Sequence, residues 1–268
     1  MVYPVISRRA GGLSVGVNLF PDRKRCSFDC PYCEVFPFRT DLRFSLSALE
    51  RGLRAVLSDA AEKGAEVADV SFSGNGEPTL SPRFASALDR AAALRDELAP
   101  AASLVVITNG STLADPAGAS VLRRAASARS AGGFDLDIWV KLDAGTAEWY
   151  RTIDRGAAPF DSLIAGIEAF AAASPVTIQT MLCAVDGSPP PPAEEEAWTA
   201  LALRLARTGN VRRFQLYGKA RPAPEDPLAA ALPTAYLEAR AAALRAALPG
   251  ALRSAGGPFA VPPVSVFP

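Results

Sequence analysis

No histidine occurs anywhere in the 268 residues. That absence removes Ser-His-Asp and Cys-His catalysis, histidine-ligated zinc and imidazole acid–base chemistry together. Net charge is missing too. The chain carries 28 Lys+Arg against 28 Asp+Glu, so the overall balance lacks the broad positive surface of a dedicated nucleic-acid binder. No apolar run approaches the roughly 20 residues that a transmembrane helix requires. Met1 to Ala10, with Arg8 and Arg9 followed by Gly11 and Gly12, does not read as a signal peptide. Cysteine is scarce, and three of the 4 crowd into one segment, Cys26, Cys30 and Cys33. A disulfide-stapled secreted domain spreads its cysteines and is usually shorter. The expected location is therefore the reducing cytoplasm, with no membrane partner and with the thiols gathered for a metal.

What is present is an ordinary globular composition, 49% hydrophobic, in a length that fits one large domain or two small ones. Short apolar runs alternate with longer stretches of helical period. Strands are expected at Val15–Phe20, Val70–Ser73, Leu104–Thr108, Asp137–Leu142, Val176–Leu182 and Arg213–Tyr217. Helices are expected over Ser45–Lys63, with Ser45 as N-cap and Gly64 as stop, and over Pro82–Leu98, Pro116–Arg129, Asp161–Ala173, Ala193–Arg207 and Thr234–Leu248. Strict alternation calls for a parallel sheet, since each parallel crossover returns through a helix. Whether that sheet is doubly wound or rolled is not settled by periodicity. The unusual residues fall just after strands, which favours a barrel, whose C-terminal strand ends share one rim. Gly187–Pro192 reads as a stiff spacer before Glu194, Glu195 and Glu196, which suit a helix N-terminus. Arg221–Pro227 reads as a loop, and Gly256–Pro268 as a proline-rich tail.

The segment Cys26-Ser-Phe-Asp-Cys30-Pro-Tyr-Cys33 has C-x3-C-x2-C spacing. Thiolates are the soft ligands that hold iron–sulfur clusters, and iron ionises them at neutral pH. A four-iron cluster with one thiolate per iron needs four cysteines; three leave one iron open, as catalytic zinc keeps an open position. A structural zinc would need a fourth ligand, and Cys183 is far along the chain. Three unrelated structural cysteines are the other bland reading.

With Tyr32 at its aromatic position, this loop resembles the C-x3-C-x-aromatic-C motif of the radical S-adenosylmethionine (radical SAM) superfamily. The resemblance implies an α/β fold, a partial (βα)6 TIM-like barrel of parallel strands with the iron–sulfur loop after strand 1. It covers roughly residues 15 to 221, so that 1–221 is the expected partial-barrel domain and 222–268 a C-terminal helix and tail packed on it. It implies a [4Fe-4S] cluster ligated by Cys26, Cys30 and Cys33, with S-adenosyl-L-methionine on the open iron. The segment Ser73-Gly-Asn-Gly-Glu-Pro-Thr79 is similar to the family's Gly-Gly-Glu-Pro-like segment, matching at Gly76, Glu77 and Pro78. Asn75 stands where a glycine is common, and Gly74 precedes it. A dinucleotide loop is the rival, but the third glycine of G-x-G-x-x-G is replaced by Thr79.

The same resemblance implies cofactor contacts from Tyr32, Gly74, Asn75, Gly76, Glu77, Asn109, Lys141, Asp143 and Gln179. Asn109-Gly110 equally suits a turn, and Lys141 equally suits pairing with Asp137 or Asp143. Leu216–Arg221 matches the family's adenine-packing segment poorly. Cys183 is expected as a small buried residue rather than a hydrogen-atom donor. The implied reaction is reductive cleavage of SAM to a 5′-deoxyadenosyl radical that takes hydrogen from a substrate, with an external one-electron reductant of flavodoxin or ferredoxin type. A small molecule or protein side chain is favoured as substrate over tRNA. Arg23-Lys-Arg25, Arg123-Arg124 and Arg212-Arg213 speak for tRNA, and overall neutrality speaks against it. The segment Gly74-Asn-Gly-Glu-Pro-Thr-Leu80, followed later by Ala220-Arg-Pro222, looks like that of a set of small uncharacterised radical SAM proteins loosely related to wyosine-type tRNA-modifying enzymes. A non-catalytic iron–sulfur electron carrier or sensor is the alternative from a different class.

Overall fold

The structure is a computed structural model that describes residues 1–127, 136–208, 210–254 and 260–268. It falls into two compact units. One comprises residues 1–26, 37–108 and 116–139, the other residues 27–36, 109–115 and 140–268.

In the first unit β1 (Val2–Ser7) runs antiparallel to β2 (Gly12–Val17), which pairs parallel with β3 (Val67–Phe72), and β3 with β4 (Ser103–Thr108). The sheet's next strand, β5 (Leu136–Lys141), starts here and ends in the other unit. Its helices are α1 (Leu46–Glu62), α2 (Phe84–Leu98) and α3 (Pro116–Ser127). Helix α1 shows how the sequence builds an element. The Ser45 side chain accepts from the Ala48 N–H as N-cap, Leu49, Leu53, Leu57 and Ala60 line one buried face, and Gly64 at φ +63° closes the end. Each of those leucines contributes about 1.5–3 kcal/mol by leaving water. Helix α1 packs on α2, across which Arg54 meets Glu97 bidentately at 2.5 and 2.8 Å.

In the second unit β6 (Val176–Val185) is buried along its whole length, pairs parallel with β7 (Val211–Gly218), and is met at its end by the short antiparallel β8 (Ala229–Ala231). Helices α4 (Ala147–Ile153), α5 (Phe160–Ala171), α6 (Pro192–Ala206) and α7 (Thr234–Ser254) complete it, with β9 (Val264–Phe267) parallel to β7.

All six expected strands exist, with shifted ends. The first slides to Gly12–Val17 because the Asn18 side chain accepts from the Phe20 N–H at 3.0 Å and turns the chain out of the ladder. Three strands were not foreseen. β1 occupies the N-terminal segment given no element. The proline-rich tail is not merely a tail, since past Pro262 and Pro263 the residues of β9 complete a ladder with Phe214–Tyr217. Helix α4 was missed as well, and α7 continues beyond Leu248 through Pro249. The ends of two expected segments, 128–129 and 256–259, lie outside the described residues. No helix among the described residues is long and apolar enough to cross a membrane.

Candidate functional site

Within the first unit, the turn after β3 is built from close backbone contacts. Gly74 (φ +116°) and Gly76 (φ +150°) adopt conformations that L side chains rarely take. A Cβ on Gly76 would lie 1.8 Å from the Arg25 carbonyl oxygen. That proximity lets Arg25 donate to the Asn75 carbonyl at 3.0 Å and accept from the Glu77 N–H at 2.8 Å. The Asn75 amide donates to the Phe20 carbonyl, and its N–H reaches the Asn18 side-chain oxygen. The GNGEP segment is thus clamped to the residues immediately before Cys26. Glu77 is 3% exposed. Its Oε1 accepts from the Thr79 N–H at 3.2 Å, the Thr79 hydroxyl at 2.5 Å and the Thr108 hydroxyl at 2.7 Å, so this carboxylate also ties the tips of β3 and β4 together. Cys26 is exposed.

Within the second unit, Cys30, Tyr32, Lys141 and Asp143 come together. Lys141, the last residue of β5, places Nζ 2.5 Å from Asp143 Oδ2, 2.7 Å from Asp154 Oδ1 and 3.5 Å from Cys30 Sγ. Its Nζ also lies 4.5 Å from the Tyr32 ring centre and 5.6 Å from that of Phe28. The Tyr32 hydroxyl donates to Asp143 Oδ2, and Asp143 Oδ1 accepts from the Met181 N–H at 2.9 Å. Asp154 was not foreseen. Its carbonyl accepts from the Asp29 N–H at 3.0 Å, which anchors the cysteine loop. Cys30 and Cys33 are half-buried and linked by a Cys33 N–H to Cys30 carbonyl turn of 3.0 Å.

The charges in this cluster follow from counting. Burial opposes the Lys141 ammonium, but Asp143, Asp154 and Cys30 override it and hold its pKa well above the usual lysine value. Two carboxylates share one lysine in a space with little water. Burial first, and then the charge of Asp143, therefore lift Asp154 above the usual carboxylate range, even though Lys141 pulls the other way. Lysine stays charged.

The remaining expected residues are placed differently. Asn109, 6% exposed, donates to the Ser27 hydroxyl at 3.0 Å and accepts from the Ser111 N–H, and Ser27 bonds Ser111 at 2.6 Å, so Asn109 braces the cysteine loop. Gln179 donates to Gln215 at 2.7 Å, a pair of cross-strand neighbours buried together. Asp137 accepts from the Trp139 indole, not from Lys141. Cys183 is buried, and burial first, then Asp143, pushes its thiol up to about 12. Glu194, expected at a helix N-terminus, lies in the first turn of α6 but turns inward, accepting from the Gly145 N–H at 2.5 Å and the Thr146 hydroxyl at 2.6 Å.

The donor set fits an iron–sulfur cluster in its chemistry. Three thiols share one loop, and the Lys141 ammonium lies 3.5 Å from Cys30 Sγ. Among the described residues, no three His, Cys, Asp or Glu side chains stand close enough to hold a single metal ion.

Mostly parallel strands alternating with helices form a fold to which several solved structures are similar. Streptococcus suis SuiB bound to precursor peptide SuiA matches with TM-score 0.62 at 12% identity, over 93% of this chain and 48% of that one. A radical SAM methyltransferase from Sphaerobacter thermophilus gives 0.62 at 18%, over 95% and 65%. TYW1 with a lysine-pyruvate adduct bound gives 0.55 at 14%, over 87% and 73%. The expected partial-barrel fold class is thereby borne out.

No protein-family model matches the chain. In sequence it is similar to a UPF0026 protein of Helicobacter pylori strain J99, 27% identical over 165 residues, 61% of this chain and 52% of that protein. A UPF0026 protein of a second Helicobacter pylori strain is 27% identical over 153 residues, 57% and 45%. The chain spans about half the length of the curated relatives it matches.

Proposed function

We propose that this chain is a radical SAM enzyme whose Cys26, Cys30 and Cys33 hold a [4Fe-4S] cluster and whose substrate is a small molecule or a protein side chain. When bound, the cluster supplies the electron that cleaves S-adenosyl-L-methionine to a 5′-deoxyadenosyl radical, which takes hydrogen from that substrate. The observation that carries the reading is the three-thiol loop itself, in a chain with this fold and with the Lys141 ammonium 3.5 Å from Cys30 Sγ.

The chain's own residues have distinct tasks in this reading. Asn109, Ser27 and Ser111 brace the start of the cysteine loop, and the Asp154 carbonyl anchors its middle through Asp29. The Gly74–Gly76 backbone and Glu77 would hold the ammonium of the methionine moiety, in a turn already made rigid by Arg25, Asn18 and Thr108. Tyr32, Lys141 and Asp143, which meet within the second unit, are further candidates for cofactor contacts. With overall charge at zero, a polyanion as large as tRNA is disfavoured. An external flavodoxin- or ferredoxin-type protein would provide the electron.

The test is 5′-deoxyadenosine formation from SAM by anaerobically reconstituted, dithionite-reduced protein. Wild type is expected to release it and Cys30→Ala is expected to bind little iron and release none. A wild-type protein that binds iron and sulfide yet leaves SAM intact would point instead to an electron carrier or sensor.

A further inference from the structure

Like charges facing each other across a pair of strands destabilise it, and this chain holds such a pair at its surface. In the first unit, the segment before Cys26 meets residues 37–43 through an antiparallel bridge between Arg23 and Arg39. The Thr40 N–H donates to the Asp22 carbonyl at 2.9 Å, and the Thr40 hydroxyl to the Pro21 carbonyl at 2.8 Å. A backbone bond at that flanking position makes Arg23 and Arg39 the closely spaced kind of cross-strand pair, with Cα atoms about 4.5 Å apart and both side chains on one face. Both residues are exposed, and a guanidinium keeps its charge at any pH the fold survives. Asp22, 3.9 Å from Arg23, is shared with Arg25 at 3.0 Å, whereas Arg39 has no ion-pair partner among the described residues. Exposed Arg43 follows on the same segment, beside Leu42 at 62% exposure.

The fold itself does not account for two cations held side by side. Adjacent guanidiniums match the paired oxygens of carboxylates. Arg23 stands three residues before Cys26, which is exposed, while Cys30 and Cys33 are half-buried. The arginines therefore border the thiol of the loop that is most open to an approaching protein. Leu42 adds an apolar contact of the kind protein interfaces use and a phosphate backbone does not offer. We infer that Arg23 and Arg39, with Arg43 and Leu42 beside them, dock the acidic rim of the one-electron donor protein that reduces the cluster. The inference rests on the proposed cluster and deepens that reading, by naming the face at which its electron enters.

The probe is an oxidised flavodoxin of net negative charge, titrated calorimetrically into the full chain at low and high salt. The variants are Arg23→Glu, Arg39→Glu and, as control, Arg8→Glu, the same charge change at an exposed arginine before the opposite end of β2. Wild-type binding is expected to weaken as salt rises, each patch variant to bind at least about tenfold more weakly at low salt, and Arg8→Glu to stay within about twofold. Arg39→Glu sets opposite charges across the bridge, so its Tm is expected to equal or exceed that of wild type while docking falls. In reconstituted protein the patch variants should slow 5′-deoxyadenosine formation driven by reduced flavodoxin but not by the reduced methyl viologen cation, which an added glutamate attracts. Wild type that does not bind the probe, patch variants that bind it as wild type does, or equal weakening by Arg8→Glu overturns the inference and leaves the cluster standing. Tighter binding of an RNA hairpin, lost in Arg39→Glu, assigns the patch to phosphate and overturns it too. A chain that takes up no iron and sulfide overturns the proposed function and the inference with it. Where Arg23→Glu fails to fold, Arg39→Glu decides alone.

Discussion

Replacing Gly76 by alanine is expected to be among the most damaging single-methyl additions in the first unit. The new Cβ would lie 1.8 Å from the Arg25 carbonyl oxygen and 2.6 Å from its carbon, both backbone atoms that no rotamer change can move aside. The backbone would also be forced to keep φ +150° with a side chain, a strain of about 1–3 kcal/mol. Separating the strands of this clamp loses the Arg25–Asn75 and Glu77–Arg25 hydrogen bonds, about 1 kcal/mol each. The sum is about 3–5 kcal/mol, which for a chain of this size lowers Tm by roughly 6–20 °C. Gly11→Ala is the control, because Gly11 has φ +79° but nothing within 4 Å of a Cβ, so it reads strain alone, about 1–2 kcal/mol. Gly74→Ala should fall between, since its Cβ meets the Asn18 side chain at 3.0 Å, which can give way. Thermal unfolding of the three variants by circular dichroism decides. If Gly76→Ala melts within a degree or two of Gly11→Ala, the clamp is not what shapes this turn.

Two further predictions concern buried carboxylates. Glu77→Ala strands three donors, the Thr79 N–H and the hydroxyls of Thr79 and Thr108, and should cost about 2–4 kcal/mol while leaving iron uptake intact and weakening SAM binding. Thermal unfolding, iron analysis and equilibrium dialysis with SAM check it; wild-type SAM affinity would remove Glu77 from the cofactor contacts. Glu194 is raised above its usual 4.5, by burial first and against the hydrogen bonds of Thr146 and Gly145. The folded state then holds this proton more tightly than the unfolded chain does, so its contribution is fully present at low pH and is lost as pH rises from about 4.5 through the folded value. Wild type should therefore lose stability relative to Glu194→Gln over that window in urea unfolding at successive pH values. A difference that stays constant or grows in favour of wild type would contradict the buried placement of Glu194.

The elements legible in the sequence were those with local signals. Ser45 and Gly64 bracket α1 as their chemistry demands, and the apolar run Leu104–Thr108 is a strand because parallel strands bury both faces. Segments whose partner is distant in sequence were not legible. Val264–Phe267 becomes a strand only because β7 offers it an edge, and nothing in the tail names β7. The site divides in the same way. The cysteine spacing and GNGEP are contiguous and were read directly. Asp154, 124 residues from Cys30, has no motif around it, and its place beside Lys141 comes from the end of α4 reaching the tip of β5. Glu77 was read from the resemblance as a cofactor contact, and the hydroxyls that meet its Oε1 were not legible because Thr108 lies on another strand.

The most direct test of the central claim is electron paramagnetic resonance on anaerobically reconstituted, reduced protein, with and without SAM. The account predicts a four-iron signal that changes shape when SAM is added, because three thiolates leave one iron open to it. A four-iron signal indifferent to SAM would contradict radical SAM chemistry, and the absence of any cluster would contradict the reading of the cysteine loop itself.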